Sequence, residues 1–371
     1  MENILYSKIP LLMEKYKVPG LSIGILANGN IIIKKNYGYA NIESQEKIHK
    51  STVFQMASIS KSLTAWAVLK LIKEKKIDLN QSVNHYLKQE LKLKGVYGED
   101  VTIGQILNHT AGLSVRGFLG HPADKVLPTI EECITGKAYH SKPLHVVEAP
   151  GRKFRYSGGG YLLLQYIIQA QTDREFSDYM QNDIIRPLGM VNSSFKYQDI
   201  KNLLACGYSL NKRPLLNRIY REMAAAGLYS SLEDMLTFVS HYFEKNRKNN
   251  PILSEDNINT LLRRRLPSSN TGLGCFLFKC SNGQKIVWHN GINQGWRCKY
   301  AIIPKTGDSI VIMTNSDTGQ NVISEIMHCW ISSVVDEPVN YYLKKYEIQK
   351  TNPYFDCMKY TFASKIVRSI I

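Results

Sequence analysis

Strand-like sequence stands at both ends of this chain and mostly helical sequence lies between, a bracketing that limits the folds open to it. Near the start, residues 21–27 and 31–39 are β-rich runs joined at Asn28-Gly29-Asn30. Asn-Gly supplies the positive φ that a tight hairpin needs. Near the end, residues 273–279, 284–288, 297–303 and 309–314 alternate or run apolar, separated by turns such as Pro304-Lys305-Thr306-Gly307-Asp308. Strands on either side of a helical insert imply one sheet built from both ends of the chain. Residues 2–17 read as a short amphipathic helix closed by Val18-Pro19-Gly20, and residues 321–335 as a final helix covering the sheet.

Within that frame, residues 54–76 put a serine, a short gap and a lysine at the head of a helical apolar pattern. Ile59, Leu63, Trp66, Ala67 and Leu71 recur at helical spacing, which predicts a helix with one face buried and Ser58 in its first turn. Residues i and i+3 share a helix face, so Lys61 comes close to Ser58. A helix N-terminus also offers unpaired N–H groups and a positive dipole end to an oxyanion formed on an attacked carbonyl. Serine is equally favoured there as an ordinary N-cap. Ser-x-x-Lys also occurs at Ser44/Lys47, Ser193/Lys196 and Ser209/Lys212, but in polar, turn-like sequence with no apolar helix behind it.

A serine attacks an acyl carbon only if a base removes its proton. Lys61 can be that base if desolvation and neighbouring cations lower its pKa. Tyr156 is a second candidate, flanked by Arg152, Lys153 and Arg155 and followed by a turn of three glycines that lets the backbone approach other groups. A surface tyrosine in a turn is the plain alternative.

Taken in order, Ser58-Ile59-Ser60-Lys61, Tyr156-Ser157-Gly158 and His289-Asn290-Gly291 resemble the three motifs of the penicillin-binding protein and β-lactamase superfamily. The resemblance is nearest to class C β-lactamases, family S12 D-Ala-D-Ala peptidases and family VIII esterases. It runs from about residue 10 to 335 and includes Leu107-Asn108-His109-Thr110-Ala111-Gly112-Leu113, Ala226-Gly227-Leu228-Tyr229-Ser230 and Thr314-Asn315-Ser316-Asp317. A literal Lys305-Thr306-Gly307 copy of the third motif is rejected, because Pro304 and Gly307-Asp308 make it a turn between strands.

The resemblance implies an α/β (α+β) fold, an antiparallel sheet flanked by helices with an inserted, mostly helical domain. Residues 1–77 and 205–336 would form the sheet domain, 78–204 the helical domain and 337–371 a basic tail of unassigned role. It further implies Ser58 as nucleophile, Lys61 as its hydrogen-bonded partner and Tyr156 as proton shuttle. His289, Asn290, Gly291 and Ile292 would border the substrate. In that set His289 tunes the tyrosine, Gly291 leaves room for substrate backbone, and the N–H groups of Ser58 and Ile292 hold the oxyanion. An ordinary histidine pKa of about 6.5 would make activity pH-sensitive through His289. Gly158 departs from the Asn that relatives often carry, which argues against strong β-lactam turnover. The expected activity is hydrolysis of an ester or amide through an acyl-Ser58 intermediate, by an esterase or D-amino-acid peptidase before a true β-lactamase. The rival reading is a non-catalytic penicillin-recognising sensor.

Charge and cysteines bound the partners. The net charge of +16, from 47 Lys and Arg against 31 Asp and Glu, permits anionic partners, yet no nucleic-acid-binding signature accompanies it. Seven cysteines form no Cys-x-x-Cys motif and cannot all pair within the chain, which fits a reducing compartment. No cofactor or metal site is implied, and the expected partner is a small-molecule or peptide substrate, with oligomeric state open. The N-terminus lacks a signal-peptide core and no run reaches membrane-span length. The expectation is a soluble, cytoplasmic protein, or an exported one if the numbering is of a mature form.

Overall fold

The computed structural model describes residues 2–139, 141–266, 269–280 and 282–335, with side chains from Leu5 onward; the tail at 337–371 lies outside the described residues. Helix α1 (Glu2–Lys15) leads into β1 (Gly20–Ala27) and β2 (Asn30–Asn41). Asn28 and Gly29 both take positive φ, 53° and 76°, as a two-residue hairpin requires. Next come β3 (Glu46–Lys47), β4 (Val53–Ala57) and helix α2 (Ser60–Lys73). After a stretch of short helices, β5 (His121–Pro122) pairs with β6 (Arg218–Ile219), and β4 with β7 (Leu228–Ser231). Strands β8 (Phe276–Lys279), β9 (Lys285–Asn293), β10 (Trp296–Ile303) and β11 (Asp308–Thr314) follow, closed by the Gly319–Val334 helix.

The main sheet has seven strands in the order β3-β2-β1-β11-β10-β9-β8, each pair antiparallel. Residues from both chain ends meet at its centre, where Leu21 pairs with Thr314 and Ile25 with Ile310. Alternation along the strands sorts the side chains into two layers. Ile23, Ile25, Ile310, Ile312 and Ile303 pack under α1 and the Gly319–Val334 helix, whereas Val311, Met313, Tyr300 and Cys298 lie on the other face, toward β4, α2 and the Leu232–Ser240 helix. The mixed helix and antiparallel sheet architecture is the α/β fold expected.

Helix α2 departs from the expected single buried face. Every residue from Ser60 to Leu69 is buried, together with Leu71, because the helix is enclosed by Tyr300 of β10 on one side and by the Gly158–Thr172 and Met223–Ala226 helices on the other. Its polar side chains are satisfied locally. Ser62 Oγ donates to Gly274 O, Thr64 Oγ1 to Ala224 O and Trp66 Nε1 to Tyr242 Oη. The Lys305-Thr306-Gly307 copy lies in the turn joining β10 to β11.

Candidate active site

Ser58 sits where β4 gives way to α2. Ala57, immediately before it, has φ 48°, a conformation costly for a residue with a Cβ. Two tight turns follow, Ile59 N–H donating to Met56 O and Lys61 N–H to Ser58 O, each at 3.1 Å. The helix proper starts at Ser60, with Ile59 rather than Ser58 at the N-cap, so Ser58 stands just ahead of the first turn in which it was expected. Local stitching falls to Ser60, whose Oγ donates to Ala57 O at 2.5 Å and accepts from Leu228 N–H at 2.9 Å.

Lys61 Nζ reaches Ser58 Oγ at 3.3 Å and donates to Ala225 O at 2.6 Å. The side chain is only 2% exposed. Burial brings its pKa down from 10.5 to about 7, because a charged ammonium loses its hydration there. Desolvation accounts for the shift, and the neighbouring cations invoked from the sequence are not needed.

Tyr156 comes from the segment ahead of the Gly158–Thr172 helix, and the Lys61 Nζ lies 5.1 Å from its ring centroid. The three glycines expected to form a turn are instead the first turn of that helix, capped by Ser157 Oγ accepting from Gly160 N–H at 3.1 Å. Tertiary neighbours press closely on this turn. A Cβ at 159 would lie 2.5 Å from Leu144 Cδ1, and one at 160 would lie 2.8 Å from Ile106 Cγ2.

His109 has a place in this cluster that the sequence reading did not assign it. Its ring stacks on Tyr156 with centroids 4.2 Å apart and planes at 29°. Nδ1 accepts from Ser157 N–H at 3.2 Å, and the His109 carbonyl accepts from Arg155 N–H at 2.7 Å. The turn around 109 thereby fixes the segment carrying Tyr156. Burial, then Lys61 and His289, push the His109 pKa well below 6.5, so the ring is neutral. Its one sequence signal was a histidine inside the familiar 107–113 stretch.

His289, on β9, is 1% exposed, and its Nδ1–H donates to Asn290 O at 2.7 Å. Burial first and Lys61 second lower its pKa to about 3. The expected titration near neutrality is therefore corrected: the ring stays uncharged wherever the protein would work.

The pleat separates the remaining third-motif residues. His289 and Gly291 pair with Tyr300 and Cys298, which face α2, whereas Asn290 and Ile292 pair with Lys299 and Arg297. Successive side chains alternate faces, so the Asn290 and Ile292 side chains point to the opposite side of the sheet. Asn290 thus lies at this edge through its backbone, with its side chain on the face opposite that of His289. Asn293 pairs with Trp296 across the two-residue turn Gln294-Gly295. Hydrogen-bonded pairs then fall on 293, 291 and 289, and the Ile292 N–H points to the strand edge beside β4. Gly291 is held to glycine by the chain itself, because a Cβ there would meet Met56 O at 2.1 Å.

The Beta-lactamase family model matches residues 7–327, which contain all of these positions. The chain belongs to that family. This β-lactamase-family chain is 27% identical over 318 residues to Protein flp of Staphylococcus aureus, an alignment covering 82% of the chain and 61% of the relative. It thus spans about three fifths of the length of the curated relatives it matches first. Among solved structures it is similar to the octameric penicillin-binding protein homologue from Pyrococcus abyssi, with TM-score 0.74, 28% identity, and coverage of 85% of this chain and 74% of that one. It shares its fold with a β-lactamase/D-alanine carboxypeptidase from Pseudomonas syringae, with TM-score 0.73, 20% identity, and coverage of 91% and 99%. Membership places the chain in a superfamily of serine hydrolases. Among the described residues no helix is long and apolar enough to cross a membrane.

Proposed function

We propose that this protein hydrolyses an ester or amide through a covalent acyl-Ser58 intermediate, and that small esters or D-amino-acid-containing peptides suit it better than β-lactams. The observation that carries this reading is the buried Lys61 amine, 3.3 Å from Ser58 Oγ with its pKa near 7. Neutral Lys61 keeps one N–H on Ala225 O and offers its lone pair to the Ser58 hydroxyl proton. As Oγ bonds to the acyl carbon, the carbonyl electron pair moves onto oxygen, where the Ser58 and Ile292 N–H groups would hold it. Collapse expels the alkoxide or amine, which takes its proton through Tyr156 from Lys61. Water then attacks the acyl-enzyme by the same path in reverse.

Gly158 favours substrates other than β-lactams. A side chain there is resisted, since a Cβ would lie 3.0 Å from both Arg116 O and Phe118 Cε2, so the polar anchor that relatives often carry is replaced by backbone packing. The test is one purified sample assayed on p-nitrophenyl esters, D-amino-acid anilides and nitrocefin, with Ser58→Ala as control. Ester or anilide turnover that Ser58→Ala abolishes, together with fluorophosphonate labelling, is expected. Preferred nitrocefin turnover would overturn the substrate class, and a single acylation burst without steady turnover would indicate a sensor.

A further inference from the structure

We propose that His121, Cys133 and Glu222 form a binding site for a divalent transition-metal cation, with zinc as the best match to the donor set. The three come from separate elements: His121 from β5, Cys133 from the Ile130–Thr135 helix, and Glu222 from the N-cap of the Met223–Ala226 helical turn. The pairing of β5 with β6 brings His121 beside the chain that leads to Glu222. One donor atom from each residue lies within 4.8 Å of the other two. His121 Nε2 and Glu222 Oε1 are 3.7 Å apart. Donors around a tetrahedral zinc stand about 3.3–3.7 Å from one another, so His121 and Glu222 already sit at that spacing, Cys133 Sγ lies within 4.8 Å of both, and a water would fill the fourth position.

A second observation is independent of that spacing. Glu222 is 2% exposed, and its Oε2 is buried with no hydrogen-bond partner among the described residues. An unsatisfied buried carboxylate oxygen carries a desolvation cost, which a bound cation would remove. Charge also balances. Zinc, one thiolate and one carboxylate sum to zero, which suits a buried site, and the Cys133 proton released on binding passes to solvent. Without a cation, burial and the neighbouring Glu222 hold the thiol well above its ordinary pKa. Sulfur, imidazole nitrogen and carboxylate oxygen together favour zinc over magnesium or calcium.

The surroundings are braced. Arg221 Nε donates to Pro128 O at 2.6 Å, and Gln165 bridges Arg221 O and Ala224 N–H at 2.9 and 3.0 Å. The Glu222 carbonyl accepts from the N–H groups of Ala225 and Ala226 at 3.0 Å each, and Ala225 O holds the Lys61 amine. A cation here would tie the segment around 121–133 to the turn that anchors Lys61.

The experiment uses the full chain, stripped with chelator, dialysed and loaded with zinc or cobalt. Wild type should retain about one equivalent of zinc per chain and melt at a higher temperature with it. Cobalt should give a thiolate charge-transfer band and the intense visible bands of four-coordination. Cys133→Ala should lose the charge-transfer band, and Glu222→Gln should weaken zinc retention by about tenfold or more. Glu222→Gln, nearly isosteric, supplies the answer if Cys133→Ala fails to fold by circular dichroism. Ser58→Ala should bind zinc as wild type does, which separates this site from the acyl chemistry. Wild type retaining no zinc above the dialysis buffer, or folded variants matching its stoichiometry and cobalt spectrum, would overturn the proposal.

Discussion

Lys61 Nζ lies nearer to the Ala225 carbonyl oxygen, at 2.6 Å, than to Ser58 Oγ, at 3.3 Å. A backbone carbonyl can take an N–H but not a lone pair, so it orients the neutral amine with its lone pair available to the serine. Proton uptake by Lys61 would remove that lone pair. We predict that kcat/KM falls with decreasing pH through about 7, in a single-proton step set by Lys61. His289, held near 3, stays neutral throughout. His289→Gln should therefore leave the midpoint of the acid limb in place even if the rate drops; a displaced midpoint would return the titration to the imidazole.

The same burial has a stability signature of opposite use. The folded pKa of about 7 lies below the ordinary 10.5, so between those values the unfolded chain binds the extra proton and native stability rises with pH. The destabilisation is complete at and below about pH 7 and gone near 10.5, with an upper bound of about 5 kcal/mol. Lys61→Met should be more stable than wild type at pH 7 by a few kcal/mol, less about 1 kcal/mol for the unsatisfied Ala225 carbonyl. Urea melts at pH 7 and 10 measure it, and an advantage that does not shrink at pH 10 would contradict the assignment.

Tyr156→Phe keeps the ring stacked on His109 and deletes only the hydroxyl. If Tyr156 is the proton shuttle proposed above, its loss should lower kcat by about 10²–10⁴-fold with little change in melting temperature. His109→Ala should also slow kcat by releasing the Tyr156 segment, since both the stack and the acceptor for Ser157 N–H disappear. A Tyr156→Phe enzyme retaining more than half its rate would assign the proton to another group.

Gly291→Ala tests how tightly β9 and β4 are pressed together. With Met56 O 2.1 Å from the new Cβ, either β9 or β4 must shift. The expected destabilisation is about 1–3 kcal/mol, with slower labelling of Ser58 as the Ile292 N–H is displaced. Wild-type stability and labelling rate would show that the gap is elastic.

Features written in local chemistry were legible from the sequence alone. Asn28-Gly29 marks the hairpin, the i and i+3 spacing of Ser58 and Lys61 survives although the helix starts at Ser60, and Pro304 to Asp308 is a turn as its composition indicates. What escaped was decided by distant neighbours. Glycine is a poor helix former, so 158–160 read as a turn, yet Leu144, Val115 and Ile106 crowd positions 159 and 160 of that helical turn closely enough that a larger residue would have to push them aside. His109 meets Tyr156 only because the 107–113 turn folds back onto the segment around 155. His121, Cys133 and Glu222 share no spacing pattern because three separate elements carry them.

The pairing of β1 with β11 sets an order of events during synthesis. A ribosome delivers Ser58 early, while the strand bearing His289 and Gly291 and the central partner of β1 are still untranslated. Partly made chains therefore hold the Ser58 hydroxyl without the strand that flanks it, and the proposed acyl chemistry would wait for the closing strands to be threaded in.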